Sequence, residues 1–88
     1  MAGAIADYDC ALELQPKDAC AYCYRGFAKN ALGDLAGAIA DYTRAIEAEP
    51  TSVNAQMAYM NRSLARKRQG DEAGAAADLK RLEELRGK

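Results

Sequence analysis

Apolar and small residues recur every three or four positions in five stretches of the chain, which is the rhythm of one helix face. The stretches cover residues 3–14, 19–32, 35–48, 53–69 and 72–86. Pro16 and Pro50 follow the first and third stretches, and a helix cannot continue through a proline. Gly-Asp pairs at 33–34 and 70–71 separate the others. The pattern predicts five amphipathic helices and an all-α fold.

The sequence also repeats itself. GAIADY occurs at residues 3–8 and again at 37–42, and a weaker copy, GAAADL, follows at 74–79. The first two copies are 34 residues apart. The segments 21–34 and 58–71 also correspond to each other, but they are 37 residues apart. This difference places an insertion of about three residues between Pro50 and Ala58. The repeated unit is a helical hairpin closed by a turn. Such a unit cannot bury its apolar face alone, so neighbouring units must stack.

The spacing and residue types resemble the tetratricopeptide repeat family. In the central repeat the matching positions are Tyr22, Gly26, Ala38, Tyr42, Ala45 and Pro50. The opening half-repeat matches at Ala4, Tyr8, Ala11 and Pro16, and the last repeat at Tyr59, Ser63, Ala75 and Leu79. The last repeat departs from the pattern at Leu82, where a small residue is usual, and no proline follows it. The resemblance implies a right-handed α-helical repeat of two and a half hairpins, divided as 1–18, 19–52 and 53–88.

Each matching position has a physical reason. Gly26 and Ala38 are small, which lets the two helices of a hairpin approach closely. Three larger residues lie four positions after a small one, on the same helical face, and are expected to fill the space between layers: Tyr8, Tyr42 and Leu79. Asp18 and Ser52 are expected to cap the second and fourth helices.

Composition narrows the classes of function. Alanine supplies 20 of the 88 residues, and there is one Phe and no Trp, so the core is thin. A formal charge of −1 argues against general nucleic-acid binding, and no apolar run approaches the roughly 20 residues that span a bilayer. The chain enters directly on a repeat, which is expected of a piece cut from inside a longer protein or of a natural truncation. A cytoplasmic location is the default expectation.

The last repeat is more polar than its predecessor. Its polar substitutions are Glu72, Lys80, Glu83 and Glu84. This is typical of a terminal, capping repeat.

The sequence offers few candidates for catalytic, cofactor-binding or metal-binding residues. The chain has no His, no Gly-rich phosphate loop and no nucleophile with a recognisable base, so we expect no enzymatic activity and no cofactor. Cys20 and Cys23 form a C-x-x-C near a helix start, which is a weak redox signal, while a zinc site would need about four ligands. With Cys10, they are expected to be reduced thiols that pack as small apolar residues. The repeated acids Asp7, Asp41 and Asp78 are expected on a solvated face.

The resemblance implies a concave groove lined by the first helix of each repeat. Here that face carries Cys20, Cys23, Phe27, Asn30, Met57, Met60, Asn61, Leu64, Lys67 and Arg68. The mostly apolar strip with polar ends is typical of a site for a peptide or an amphipathic helix. The same strip also suits the packed side of a small core or a self-association site. One family subtype clamps a carboxylate with Lys, Asn and Arg, but only Asn61 resembles a component of that clamp.

A second surface is the incomplete N-terminal edge. Ile5, Tyr8 and Leu12 are expected to leave an exposed flank that a second copy would cover, which would make a homodimer. A basic cluster is expected to be solvated, and it comprises Arg62, Arg66, Lys67 and Arg68. The leading hypothesis is non-catalytic protein–protein interaction through the groove; self-association as a scaffold and thiol redox chemistry are the alternatives.

Overall fold

The computed structural model describes residues 2–87, with side chains from Ile5 onward, so the side chain of Ala4 lies outside the described residues. Five α-helices make up this part of the chain. They are α1 (Ala2–Leu14), α2 (Ala19–Ala31), α3 (Leu35–Ala48), α4 (Val53–Arg68) and α5 (Glu72–Arg86). Residues 2–87 contain no strand. The predicted all-α fold with five helices is confirmed, and every helix boundary agrees with the sequence to within one residue.

Side-chain caps fix the starts of the last four helices. Asp18 accepts a hydrogen bond from the backbone N–H of Ala21, and Ser52 accepts one from Ala55, which confirms both predicted caps. Asp34 and Asp71 also act as caps, and the sequence had shown them only as parts of turns.

A glycine with positive φ precedes each of these two aspartates. Gly33 has φ +90° and Gly70 has φ +89°. A side chain is strained in this left-handed region, so glycine ends α2 and α4 at these positions and lets the chain reverse.

Consecutive helices pack against one another, and α2 also packs against α4. The main cluster of buried side chains consists of Ala19, Cys23, Ala38, Tyr42, Ala45 and Ala58. Tyr42 is the one large residue in this cluster and is fully buried. A Cβ atom added to Gly26 would lie 2.8 Å from Cε1 of the Tyr42 ring, so only glycine leaves room for the ring at that point.

A second cluster joins α4 and α5. It contains Ala55, Tyr59 and Leu82, with Ile46 and Leu85 packed against it. Leu82, where the resemblance predicted a small residue, is 4% exposed. The larger side chain therefore fills the core where α5 meets α4.

The prediction that Asp41 and Asp78 lie on a solvated face is wrong. Both carboxylates are buried, and each receives two hydrogen bonds from one guanidinium on the preceding helix. Arg25 donates to Asp41 through Nε at 2.9 Å and Nη2 at 2.7 Å. Arg62 donates to Asp78 at 3.0 and 2.6 Å. Spacing alone cannot separate these acids from the exposed Asp7, because the cations that allow burial come from another helix.

A second cation faces each buried carboxylate. Lys29 Nζ lies 3.3 Å from Asp41 Oδ2, and Arg66 Nη1 lies 3.1 Å from Asp78 Oδ2. The expectation that the basic cluster is solvated is therefore wrong for Arg62 and Arg66, because both form ion pairs with the buried Asp78.

The third contact of each arginine reaches one helix further back. Arg25 Nη1 donates to Asp9 Oδ1 of α1 at 2.6 Å. Arg62 Nη1 donates to Thr43 Oγ1 of α3 at 3.0 Å. Asp9 and Thr43 are 34 residues apart, so the same position of the repeated sequence serves both arginines. Each guanidinium thus ties three consecutive helices together.

Two expectations about the ends of the structure are wrong. Leu79 is 47% exposed and fills no interlayer space, because no further helix of residues 2–87 packs on the outer side of α5. Leu12 is buried at 7% exposure, although it was expected on an exposed flank of α1. Among the described residues, no helix is long and apolar enough to cross a membrane.

We predict that Asp41→Asn lowers the free energy of unfolding by about 3 kcal/mol, because it leaves Arg25 and Lys29 beside a neutral amide in a buried site. Asp9→Asn is the matched control, since the Asp9 side chain is 52% exposed and its loss is expected to cost less than about 1 kcal/mol. Urea unfolding followed by circular dichroism measures both. Equal effects of the two substitutions would contradict the prediction.

We predict that Tyr42→Phe leaves the free energy of unfolding unchanged or raises it by up to about 1 kcal/mol. The Tyr42 hydroxyl is buried and finds no hydrogen-bond partner among residues 2–87, so its removal breaks no such bond. Tyr22→Phe is the comparison, because the Tyr22 hydroxyl donates to the carbonyl oxygen of Pro16 at 3.0 Å. That substitution is expected to destabilise by about 0.5–1 kcal/mol, and the reverse order in thermal unfolding would show that the Tyr42 hydroxyl is satisfied.

Candidate functional site

Helices α2 and α4 lie side by side and run in the same direction. Near their N-termini, the Cys23 thiol donates to the carbonyl oxygen of Asn54 at 3.3 Å. Near their C-termini, Arg68 Nη1 donates to Asn30 Oδ1 at 2.8 Å. These two contacts tie the pair of helices at both ends and leave a groove between them.

The groove holds an open cavity of about 480 Å³. Helix α1 contributes one wall residue, α2 contributes four and α4 contributes two. The lining residues are Tyr8, Cys23, Tyr24, Phe27, Ala28, Met57 and Asn61. The structure therefore brings together four of the predicted groove residues: Cys23, Phe27, Met57 and Asn61.

These four residues differ in accessibility. Phe27 is 54% exposed and Met57 is 39% exposed, so both leave apolar surface open to solvent in the cavity. Cys23 is buried and belongs to the core as well as to the cavity lining. Asn61 is half-buried and is the one amide among the lining residues, where it offers both a donor and an acceptor.

Two tyrosines form a wall that the sequence did not predict. The rings of Tyr8 and Tyr24 stack with their centroids 5.9 Å apart and their planes 21° apart. Tyr8 was expected on the self-association edge, but it lines the cavity. The helical spacing of Tyr24 from Cys20 and Phe27 was a signal for its place, and Ala28 follows Tyr24 by four residues.

The remaining predicted groove residues lie outside the cavity lining. Met60 is 45% exposed and Leu64 is 53% exposed, both on α4, while Cys20 is half-buried near the start of α2. Lys67 lies instead beside Leu79 in a separate hollow of about 190 Å³ between α4 and α5. Asn30 and Arg68 meet at the C-terminal end of the groove.

The edge predicted for self-association offers little apolar surface. Ile5 and Tyr8 are half-buried, and Leu12 is buried. Leu14, at the end of α1, is 84% exposed but stands apart from this stripe.

Cys23, the second thiol of the C-x-x-C segment, has a perturbed pKa. Burial raises the pKa of Cys23 to about 11, whereas a reactive thiol needs a lowered pKa. Cys20 and Glu49 act on the pKa in the same upward direction. No group of three or more His, Cys, Asp or Glu side chains within residues 2–87 is arranged to hold a metal ion.

We predict that iodoacetamide at pH 8 modifies Cys10 rapidly and Cys23 only as fast as the protein opens. Cys10 is exposed, whereas Cys23 is buried and has a pKa of about 11, which leaves very little thiolate at that pH. Peptide mass mapping over time measures the two rates, and urea is the control that should remove the difference. Equal rates in buffer would contradict the assigned burial of Cys23.

No family model matches the sequence, and no curated protein is significantly similar to it.

Proposed function

We propose that the protein is a non-catalytic interaction module that binds a peptide segment of another protein in the groove between α2 and α4. The observation that carries the proposal is the open cavity of about 480 Å³, with exposed Phe27 and Met57 on opposite walls. Ligand sites are typically concave and mostly apolar, with a few polar groups that fix orientation. Asn61 is such a group.

The chemistry of the lining favours binding over catalysis. Apart from Asn61, its polar groups are two tyrosine hydroxyls and the Cys23 thiol, whose raised pKa keeps it protonated near pH 7. These groups supply contact area and hydrogen bonds. Met57 adds a flexible side chain that adapts to differently shaped ligands.

We also propose that the helices form a right-handed repeat of the tetratricopeptide kind. The Arg25–Asp41 contact and the Arg62–Asp78 contact have the same atoms and the same separation of 16 residues, and they occur 37 residues apart. The positive-φ glycines and the capping aspartates recur with that offset as well. In such a repeat α2 and α4 are equivalent first helices, which supports a groove between them. A cytoplasmic location stays a prediction of the sequence.

No observation favours self-association through α1 as the main function. Tyr8 is engaged with Tyr24, and Leu12 is buried. The groove offers larger exposed side chains than this edge.

We predict that peptides selected from a displayed library of random 12-residue sequences lose affinity by about tenfold or more on Phe27→Glu, because a charge in the cavity must be desolvated when an apolar anchor enters. The double variant Met60→Glu/Leu64→Glu tests whether the site extends along α4. Leu14→Glu, at a side chain 84% exposed and away from the cavity, is the matched control. Fluorescence anisotropy with synthetic copies of the peptides measures affinity, and circular dichroism checks helicity.

Two results would contradict binding in the groove or favour the scaffold alternative. Peptides that bind Phe27→Glu as well as they bind the original protein would remove the groove from the proposal. Light scattering on the same samples must give the monomer mass; a dimer that Tyr8→Lys dissociates would support the scaffold alternative instead.

A further inference from the structure

The basic residues at the C-terminal end of α4 differ in whether they have an acidic partner. Four basic residues lie within the last seven positions of α4. Arg62 and Arg66 both donate hydrogen bonds to Asp78, and Lys67 lies toward α5. Arg68 is exposed and has no acidic partner among residues 2–87. Among residues 2–87, Arg68 is thus an exposed cation at this end of the groove that no carboxylate neutralises.

Arg68 is held in position by neutral groups. Its Nη1 atom donates to Asn30 Oδ1 at 2.8 Å and lies 3.4 Å from the Asn30 carbonyl oxygen. Neither oxygen carries a formal charge, so these contacts orient the guanidinium without neutralising it. The other N–H groups of Arg68 remain to meet a carboxylate, which a guanidinium can bind through two parallel hydrogen bonds.

The opposite end of the groove carries acidic groups. Asp18 caps α2 there, and Glu49 accepts a hydrogen bond from Asn54 Nδ2 at 3.3 Å. Lys17 lies in the same hollow as these two acids. An acidic ligand group is thus favoured at the Arg68 end and not at the Asp18 end.

The distance from the cavity to Arg68 sets the spacing in the ligand. Asn61 and Arg68 are separated by seven residues of one helix, which is about 10 Å at 1.5 Å per residue. An extended peptide covers that distance in about three residues, at 3.3 Å each.

We infer that the partner segment carries an apolar anchor for the cavity and, about three residues to one side of it, an Asp or Glu whose carboxylate binds Arg68. The inference rests on the proposed function, because it assigns the ligand of that same groove.

The test uses amide-capped random 12-residue peptides selected against the intact protein and, in parallel, against Arg68→Glu. We expect peptides from the first selection to share an aromatic or aliphatic residue with Asp or Glu about three positions away. We expect the second selection to lose that acid or replace it with Lys or Arg. Replacing the acid by its amide in a selected peptide should weaken binding about threefold to tenfold at 20 mM NaCl, and less at 300 mM.

Three variants separate the role of Arg68 from general charge. Lys80→Glu makes the same change of charge on an exposed residue of α5 and should leave affinity unchanged. Asn30→Ala removes the group that orients Arg68 and should reproduce part of the loss. Arg68→Lys keeps the charge without the paired geometry and should fall between the original protein and Arg68→Glu.

The failures of the two proposals are distinguishable. Selected peptides that depend on Phe27 but show no acid preference, or that respond equally to Arg68→Glu and Lys80→Glu, would overturn this inference and leave the groove intact. A preference for the free C-terminal acid over the amide would also overturn it. Peptides that ignore Phe27→Glu would overturn both proposals.

Discussion

The buried carboxylates of Asp41 and Asp78 are the constraint on which the rest of the structure depends. Each lies between helices and is matched by an arginine and a second cation from the preceding helix. Removing such charges from water is costly, so the cost is offset only where all these groups meet. Sliding one helix past its neighbour would leave a carboxylate buried without its cation. The ion pairs therefore fix the register of helices whose alanine surfaces alone would specify it weakly.

Close approach follows from the small residues on either side of these pairs. Gly26 receives the ring of Tyr42, and Ala38 and Ala45 are completely buried beside it. With little large side-chain volume available, the core gains its contact area from backbones that come near each other. The third contacts, to Asp9 and Thr43, extend each tie to a third helix. Helices α2 and α4 are in this way held parallel, at a spacing that leaves the groove open.

The groove has a buried floor and exposed walls. Its floor includes Cys23, which the core holds, while Phe27 and Met57 remain exposed above it. The stacked pair of Tyr8 and Tyr24 closes one side. For the proposed peptide binding, side chains that are already ordered would lower the entropic cost of association. Helix α2 therefore contributes to both the core and the groove, since it supplies buried contacts to α3 and exposed side chains to the cavity.

The sequence by itself determined the number and bounds of the helices and two of the four side-chain caps, those of Asp18 and Ser52, because apolar periodicity, prolines, glycines and capping residues act within a few positions. The resemblance to the tetratricopeptide repeat implied that Phe27, Met57 and Asn61 line one groove, and the structure places all three in the cavity lining. Only the tertiary structure decided that Asp41 and Asp78 are buried, since their cations come from residues 12 or more positions away. It likewise turned Tyr8 toward Tyr24, buried Leu12 and directed Lys67 toward α5. Local pattern shows which residues share a helix face, whereas the neighbour that covers that face depends on how the helices pack.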